Sequence, residues 1–259
     1  MRTINIFLGI LLLSLAACKK GGADLVYKTN ILSVKINGYN GGTEQLEIKL
    51  DTFKSKYLVA PGSFTTSEAY SWPNDQNSVK LTVAEKSTGK ILIDSLLKKE
   101  NGPANISFFY FDGKVSKMPE VPAFEEGKIK ISYMFIPQIT KYTEPVDIVL
   151  GKYYFTPKVF EEITRIKNVK PYEFSQPATL STFPITGQQY NGQPTSVLFL
   201  IYVYKAGTNE FYTNGSAYIW NASSSTAPKP SATTAISKVY IFSEQPAGTT
   251  MRFEKRFEM

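Results

Sequence analysis

The first residues that could carry a reaction are two carboxylate pairs, Glu44 with Glu47 and Glu144 with Asp147. A glycosidase needs little more than two carboxyl groups about 5–9 Å apart, one to protonate the leaving oxygen and one to attack or to activate water. The spacing argues against that use, because residues three apart on a strand point to opposite faces and lysines stand beside both segments. The chain has no histidine, which removes the usual general base, the Ser-His-Asp triad and imidazole zinc sites. Asn74-Asp75-Gln76-Asn77-Ser78 offers hard oxygen ligands of the kind Ca²⁺ takes. It lacks the alternating acids and central glycine of an EF-hand loop and reads as a turn held by its own Asx side chains. No glycine-rich phosphate loop follows a strand, so neither a metal nor any other cofactor is expected, and nor is an enzymatic role.

Aromatic stacking is the chemistry that remains. The chain holds 16 Tyr, 17 Phe and 2 Trp, and Tyr and Trp combine an apolar face with a polar edge suited to sugar rings. The surrounding pattern puts four of them in loops: Tyr70 and Trp72 before Pro73, Tyr190 between Gly187 and Pro194, and Trp220 next to Asn221. These are the candidate ligand-binding residues, and the competing role for each is to plug the end of a sandwich. Basic residues are not clustered among them, so nucleic acid is not an expected partner.

The elements that must position these residues begin after an export leader. Arg2 gives it a positive start, Ile4 to Leu15 an apolar stretch, and Leu15-Ala16-Ala17-Cys18 a small-residue cleavage site ending in the only cysteine. The apolar run is shorter than the roughly 20 residues of a membrane span. Leu-Ala-Ala-Cys resembles a bacterial lipobox, and that resemblance implies diacylation of Cys18 and cleavage just before it. Removing 1–17 leaves 242 of the 259 residues, and losing Arg2 lowers the net charge from +7 to +6. The lysines are scattered singly, as solubility requires. With Cys18 acylated no thiol remains, which excludes disulfides, thiolate metal sites and a cysteine nucleophile. Residues 18–30 form a polar tether, and Lys19 and Lys20 could lie against acidic headgroups.

From Leu32 the apolar period becomes two, as in Leu32, Val34 and Ile36, then Leu46, Ile48 and Leu50, then Val79, Leu81 and Val83. Ile106–Phe111 is apolar on nearly both sides, as a central strand covered on two faces would be, and Asp112-Gly113 ends it. Residues 114–127, with Pro119 and Pro122, show no sustained period. The alternation resumes at Ile129. Thr43-Glu44-Gln45-Leu46-Glu47-Ile48-Lys49-Leu50 matches Thr143-Glu144-Pro145-Val146-Asp147-Ile148-Val149-Leu150 in pattern, which predicts an internal repeat. More loosely, the turn Lys86-Ser87-Thr88-Gly89 aligns with Lys205-Ala206-Gly207-Thr208. The second copy carries an insertion, 151–196. Thr156 as cap, Pro157 and the spacing of Val159, Ile163 and Ile166 fit a short helix there, and the same residues fit an irregular strand. The terminal Met251, Phe253, Phe257 and Met259 fall on one face of a final strand.

Roughly seven short strands per half predict an all-β chain: two tandem antiparallel β-sandwich domains, Ig-like or transthyretin-like, after a lipoprotein signal peptide. The boundaries are 1–17 signal peptide, 18–30 lipidated tether, 31–115 first sandwich, 116–127 linker and 128–259 second sandwich. At this point the chain resembles the tandem Ig-like lipoproteins of unknown function common in Bacteroidota. The resemblance rests on the lipobox, the strand-rich lysine/tyrosine composition and the aliphatic-acid-Ile-x-Leu strand in each half. It implies a lipid-anchored envelope protein at the outer membrane, a non-enzymatic binding or scaffolding module for glycan or for a partner envelope protein. A structural subunit of a surface fibre or adhesin is the alternative. Lys19-Lys20-Gly21-Gly22 stands where surface-exported relatives carry an acidic stretch, so the face of the membrane is left open.

Cys18→Ser is expected to abolish acylation and leave an unprocessed precursor. Labelling with radioactive fatty acid checks this, and failure to mark the wild-type chain would sink the lipid anchor.

Overall fold

A computed structural model describes residues 30–73 and 75–259; the leader, Cys18, the tether up to residue 29, and Asn74 of the candidate calcium loop lie outside the described residues. The expected alternation becomes strand after strand. Eight come first: β1 (Ile31–Asn40), β2 (Leu46–Leu50), β3 (Phe53–Lys54), β4 (Gly62–Ser71), β5 (Ser78–Glu85), β6 (Ile91–Lys98), β7 (Ala104–Phe111) and β8 (Lys114–Ser116). Nine follow: β9 (Lys128–Ile136), β10 (Val146–Tyr154), β11 (Val159–Val169), β12 (Ala178–Ser181), β13 (Gln188–Tyr190), β14 (Gln193–Thr195), β15 (Val197–Lys205), β16 (Ile236–Glu244) and β17 (Phe253–Glu258). The architecture is all-β and sandwich-like, built from several sheets. Among the described residues no helix is long and apolar enough to cross a membrane.

The chain packs as two compact units. One holds the described residues up to Asn37, with Thr43–Ala60 and Phe64–Ser107; the other holds Gly38–Gly42, Pro61–Ser63 and Phe108–Met259. The unit boundary falls inside β1, β4 and β7. In the first unit the sheet β3-β2-β5-β6 buries Leu46, Ile48, Leu50, Val79, Leu81 and Val83, the residues whose period of two marked β2 and β5. Leu32, Val34 and Ile36 of β1 are buried in the same alternating way.

In the second unit the sheet β12-β9-β16-β17 faces the sheet β11-β10-β15. Ile131, Tyr133 and Phe135 of β9 meet Ile148 and Leu150 of β10 and Ile201 and Val203 of β15 in one core. The expected antiparallel sheets need correction here, because β16 pairs with β9 in parallel. Both strands are buried on both faces over most of their length, the setting in which parallel pairing is normally found.

Residues 159–169 are a strand, so the helical alternative is set aside. Val159, Ile163, Thr164, Ile166 and Val169 are β-branched and lose less rotamer freedom on a pleated surface than in a helix. β11 pairs along β10 from Tyr154 to Val146. Gly151 allows that approach, since a Cβ there would lie 2.3 Å from the carbonyl oxygen of Glu161 and 2.5 Å from the Phe160 ring. The terminal strand differs too. β17 pairs with β16, but its register shifts between Ile241 and Phe242, which face Phe257 and Lys255. The extra residue, Arg256, makes a bulge. Phe253 therefore packs into the inner core, whereas Phe257 joins Tyr39, Phe109, Met134 and Ile241 on the outer face of the sheet.

Two pairs of sheets share a strand order, β4-β1-β7-β8 with β12-β9-β16-β17 and β3-β2-β5 with β11-β10-β15. Leu46 lies opposite Glu85 as Val146 lies opposite Lys205, and Leu50 opposite Leu81 as Leu150 opposite Ile201. This register moves the loosely aligned turn by one residue. Lys86 N–H bonds Gln45 O at 2.9 Å, and Ala206, not Lys205, bonds Pro145 O at 3.2 Å. Thr88 and Thr208 then take the same place, each hydroxyl accepting the N–H two residues on.

β6 has no counterpart among the later strands, and β13 and β14 have none among the earlier ones. β5 pairs on its outer side with β6, but the corresponding edge of β15 meets the irregular segment 206–235. Ile201 N–H donates to the Thr226 hydroxyl at 2.9 Å, Ile201 O accepts from Ala227 N–H at 3.0 Å, and Val203 O accepts from Tyr212 N–H at 3.3 Å.

Glu244, at the end of β16, is wholly buried. Its carboxyl accepts the N–H groups of Ile139 at 2.6 Å and Thr140 at 2.8 Å, and the hydroxyls of Thr140 at 2.6 Å and Tyr212 at 2.9 Å. Burial and the neighbouring Glu244 push the Tyr212 phenol well above its ordinary range. Glu244→Ala is expected to lower stability by roughly 3 kcal/mol or more, since each buried donor left unpaired costs about 1–3 kcal/mol. Urea unfolding of the full chain checks this.

Candidate functional site

Of the four aromatics singled out from sequence, Tyr70 and Trp72 belong to the first unit and Tyr190 and Trp220 to the second. Tyr70 lies in β4 and Trp72 just after it, and both are buried, so their expected place on an open loop is corrected. The Trp72 ring is 5 % exposed and meets Tyr70 edge-on, with centroids 5.7 Å apart. Their burial follows from β4 running on to Ser71, which carries Tyr70 and Trp72 to the inner side of the first unit. Tyr70 donates to Gln76 at 3.0 Å, and Gln76 in turn donates to Asp51 and to Ser78 O. Gln76 is thus committed to hydrogen bonds within the first unit, and among the described residues no group of three or more acidic, histidine or cysteine side chains could hold a metal ion. Tyr190 is half-buried in β13, 4.9 Å from the Tyr154 ring. Trp220 is half-buried and stacks on Phe211 at 4.7 Å and 9°. Its indole N–H is buried with no hydrogen-bond partner among the described residues.

One member of each carboxylate pair, Glu47 and Asp147, is engaged in ion pairs. Glu47 bridges Lys54 and Lys49, whose hydrogen bonds hold its carboxyl below the usual range. Asp147, 1 % exposed, accepts from Arg165 Nη1 at 3.1 Å, Asn168 N–H at 2.9 Å and Gly207 N–H at 3.1 Å. Arg165 uses all its donors: Nε and Nη2 clasp Glu162 at 3.1 and 2.7 Å, and the rest reach Asp147, Thr208 O and Asn209. Hydrogen bonds to Glu162 are the main reason its pKa is raised further. A guanidinium with every N–H satisfied has none left for a ligand. This cluster ties β11 and the 206–209 turn to β10.

An open groove of about 620 Å³ lies on the outer face of the β9-containing sheet. One wall is the end of β7 and its hairpin into β8. Asp112 (φ 49°) and Gly113 (φ 73°) both take the left-handed conformation that a two-residue turn of this twist demands, with Phe111 paired to Lys114. The other wall is 171–174, anchored to β9 by Tyr172 N–H to Phe135 O at 2.9 Å and Ser175 N–H to Tyr133 O at 2.7 Å. Met134, Phe109 and Phe174 form the floor, the two rings 5.5 Å apart. Tyr172 stands at the rim, 43 % exposed, its ring centroid 6.1 Å from that of Phe111. Its φ of 67° is a conformation bulky residues rarely adopt. Asp112, Lys114 and Glu173 put charge around the opening.

Sequence reasoning missed Tyr172 and Phe111. The available signal was Asp112-Gly113, which fixes a tight hairpin and so aims Phe111; Tyr172 had none, since its backbone is set by contacts with β9. No protein-family model matches the chain, and no curated protein matches it significantly.

Asp147→Ala is expected to remove about 3 kcal/mol of stability, because it strands a mostly buried arginine and two amides. Comparison of unfolding midpoints in urea checks this, with the groove's behaviour unchanged.

Proposed function

We propose that the chain is a lipid-anchored envelope protein at the outer membrane, acting as a non-enzymatic binding module that takes glycan in the groove between Phe111 and Tyr172. The observation that carries this reading is Tyr172, an exposed tyrosine held in the left-handed region at the rim of an aromatic-floored groove. Such strain costs about 1–2 kcal/mol and persists where surroundings impose it, a pattern concentrated at ligand sites. The apolar floor suits the face of a pyranose ring, and Asp112, Lys114 and Glu173 can meet its hydroxyls. The lack of histidine favours binding over catalysis. The lipid anchor rests on Leu15-Ala16-Ala17-Cys18. Matching strand orders and registers support reading the halves as tandem copies of one Ig-like or transthyretin-like sandwich.

A second reading, a structural subunit of a surface fibre or adhesin, draws on β6. It is the outermost strand of its sheet and leaves Ile91 and Leu96 55 % and 62 % exposed, an edge on which a strand from another molecule could add. Sedimentation separates the readings: a glycan binder stays monomeric in detergent, whereas a fibre subunit polymerises.

Full-length protein in detergent is expected to retain at least one saccharide on a glycan array, and Tyr172→Gly to weaken it about tenfold, equivalent to about 1.4 kcal/mol of lost stacking. Glycine relieves the left-handed strain, so the variant's melting temperature should stay within a few degrees of wild type. Retention of no glycan, or equal binding by the variant, would overturn the assignment.

A further inference from the structure

A second cleft, of about 520 Å³, opens where the second unit lacks a counterpart to β6. The inner face of β16 and β17 is covered there by the strap 226–231 in place of a strand. Three bonds hold the strap: the two to Ile201 described above, and Tyr133 OH to Pro228 O at 2.8 Å. Pro228 and Pro230 flank Lys229 and restrict its backbone, so less freedom is lost when its side chain is fixed.

Lys229, Lys238 and Lys255 line this cleft with a single carboxylate, Glu258. Both oxygens of Glu258 are engaged. Oε1 pairs with Lys238 at 2.7 Å and Oε2 with Lys255, which holds its pKa below the usual range, the Lys238 hydrogen bond contributing most. Among the described residues no anion faces Lys229. It is half-buried, and that burial depresses its ammonium pKa. A desolvated cation without a partner is unfavourable, and an oxyanion at the strap would supply the missing charge and hydrogen-bond acceptors.

We propose that this cleft is an oxyanion site, taking a sugar carboxylate or a phosphate on Lys229, with Lys238 and Lys255 at its rim. The site is separate from the aromatic groove, and neutral sugar does not enter it. Glu258 keeps the two rim lysines in place, and Lys229 is the residue that gains a partner.

Calorimetric titration of the full chain in detergent with glucuronate, inorganic phosphate and glucose tests this. At least one of the two anions is expected to bind, more weakly as salt rises, and glucose not at all; the tighter anion identifies the carrier. Lys229→Gln should weaken that anion at least tenfold, and Lys229→Arg should bind within about threefold of wild type. A readout on the unaltered chain is reductive methylation followed by peptide mapping, in which the anion should slow modification of Lys229 at least fivefold. Binding of neither anion, equal binding by Lys229→Gln, or no protection of Lys229 would overturn the proposal.

Discussion

The outer edge of β15 carries backbone groups that must be bonded somewhere, because a buried N–H or C=O left unpaired costs about 1–3 kcal/mol. In the first unit the corresponding edge of β5 is answered by β6. In the second, 206–235 answers it at separate stations, at Lys205, Val203 and Ile201. Between stations the segment is free to depart from strand geometry. It uses that freedom to stack Phe211 and Trp220 against Tyr204 and Tyr202 on the outer face of β15, and to draw Pro228–Pro230 across the inner one. The aromatic plug and the lysine cleft are two results of the same unpaired edge.

The neighbouring sheet supplies rigidity. β9 and β16 have apolar side chains on both faces, so each is fixed from two sides at once. Tyr172 keeps its unfavourable backbone because bonds to the carbonyls of Phe135 and Tyr133 bracket it. Glu244 ties the 138–140 turn to the end of β16 and to Tyr212. The segment 171–174 supplies one wall and Phe174 of the floor, while Met134 and Phe109 come from strands that cannot shift without opening a core, the arrangement that holds a binding site in shape.

Much of the fold was legible in the sequence because a period of two has one physical cause, a strand with one wet face. Val79, Leu81 and Val83 announce β5, and the Thr43–Leu50 and Thr143–Leu150 segments announce β2 and β10. β4 was not legible: Gly62-Ser-Phe-Thr-Thr-Ser-Glu-Ala-Tyr-Ser71 has no apolar alternation until Tyr70, since it is an outermost strand with little to bury. Missing it put Tyr70 and Trp72 in a loop. The parallel pairing of β9 with β16 joins residues about a hundred positions apart, which no local pattern encodes. Of the candidate site, only the Asp112-Gly113 turn could be read. Tyr172 and Lys229 acquire their settings from partners distant in sequence.

The bulge at Arg256 gives the last strand a property beyond its packing. Upstream of it the side chain of Phe253 points one way, and downstream Phe257 points the other, so one short strand closes two hydrophobic layers. The two phenylalanines are four residues apart, a spacing that in an unbroken strand puts both side chains on one face, and the extra residue at 256 supplies the change of phase that separates them. Loss of that residue would leave them three apart on a regular strand, still on opposite faces, so the two-layer contact survives shortening. Restoring a regular ladder while keeping every residue would instead turn one phenylalanine towards solvent, and the segment is therefore more tolerant of losing Arg256 than of losing the bulge around it.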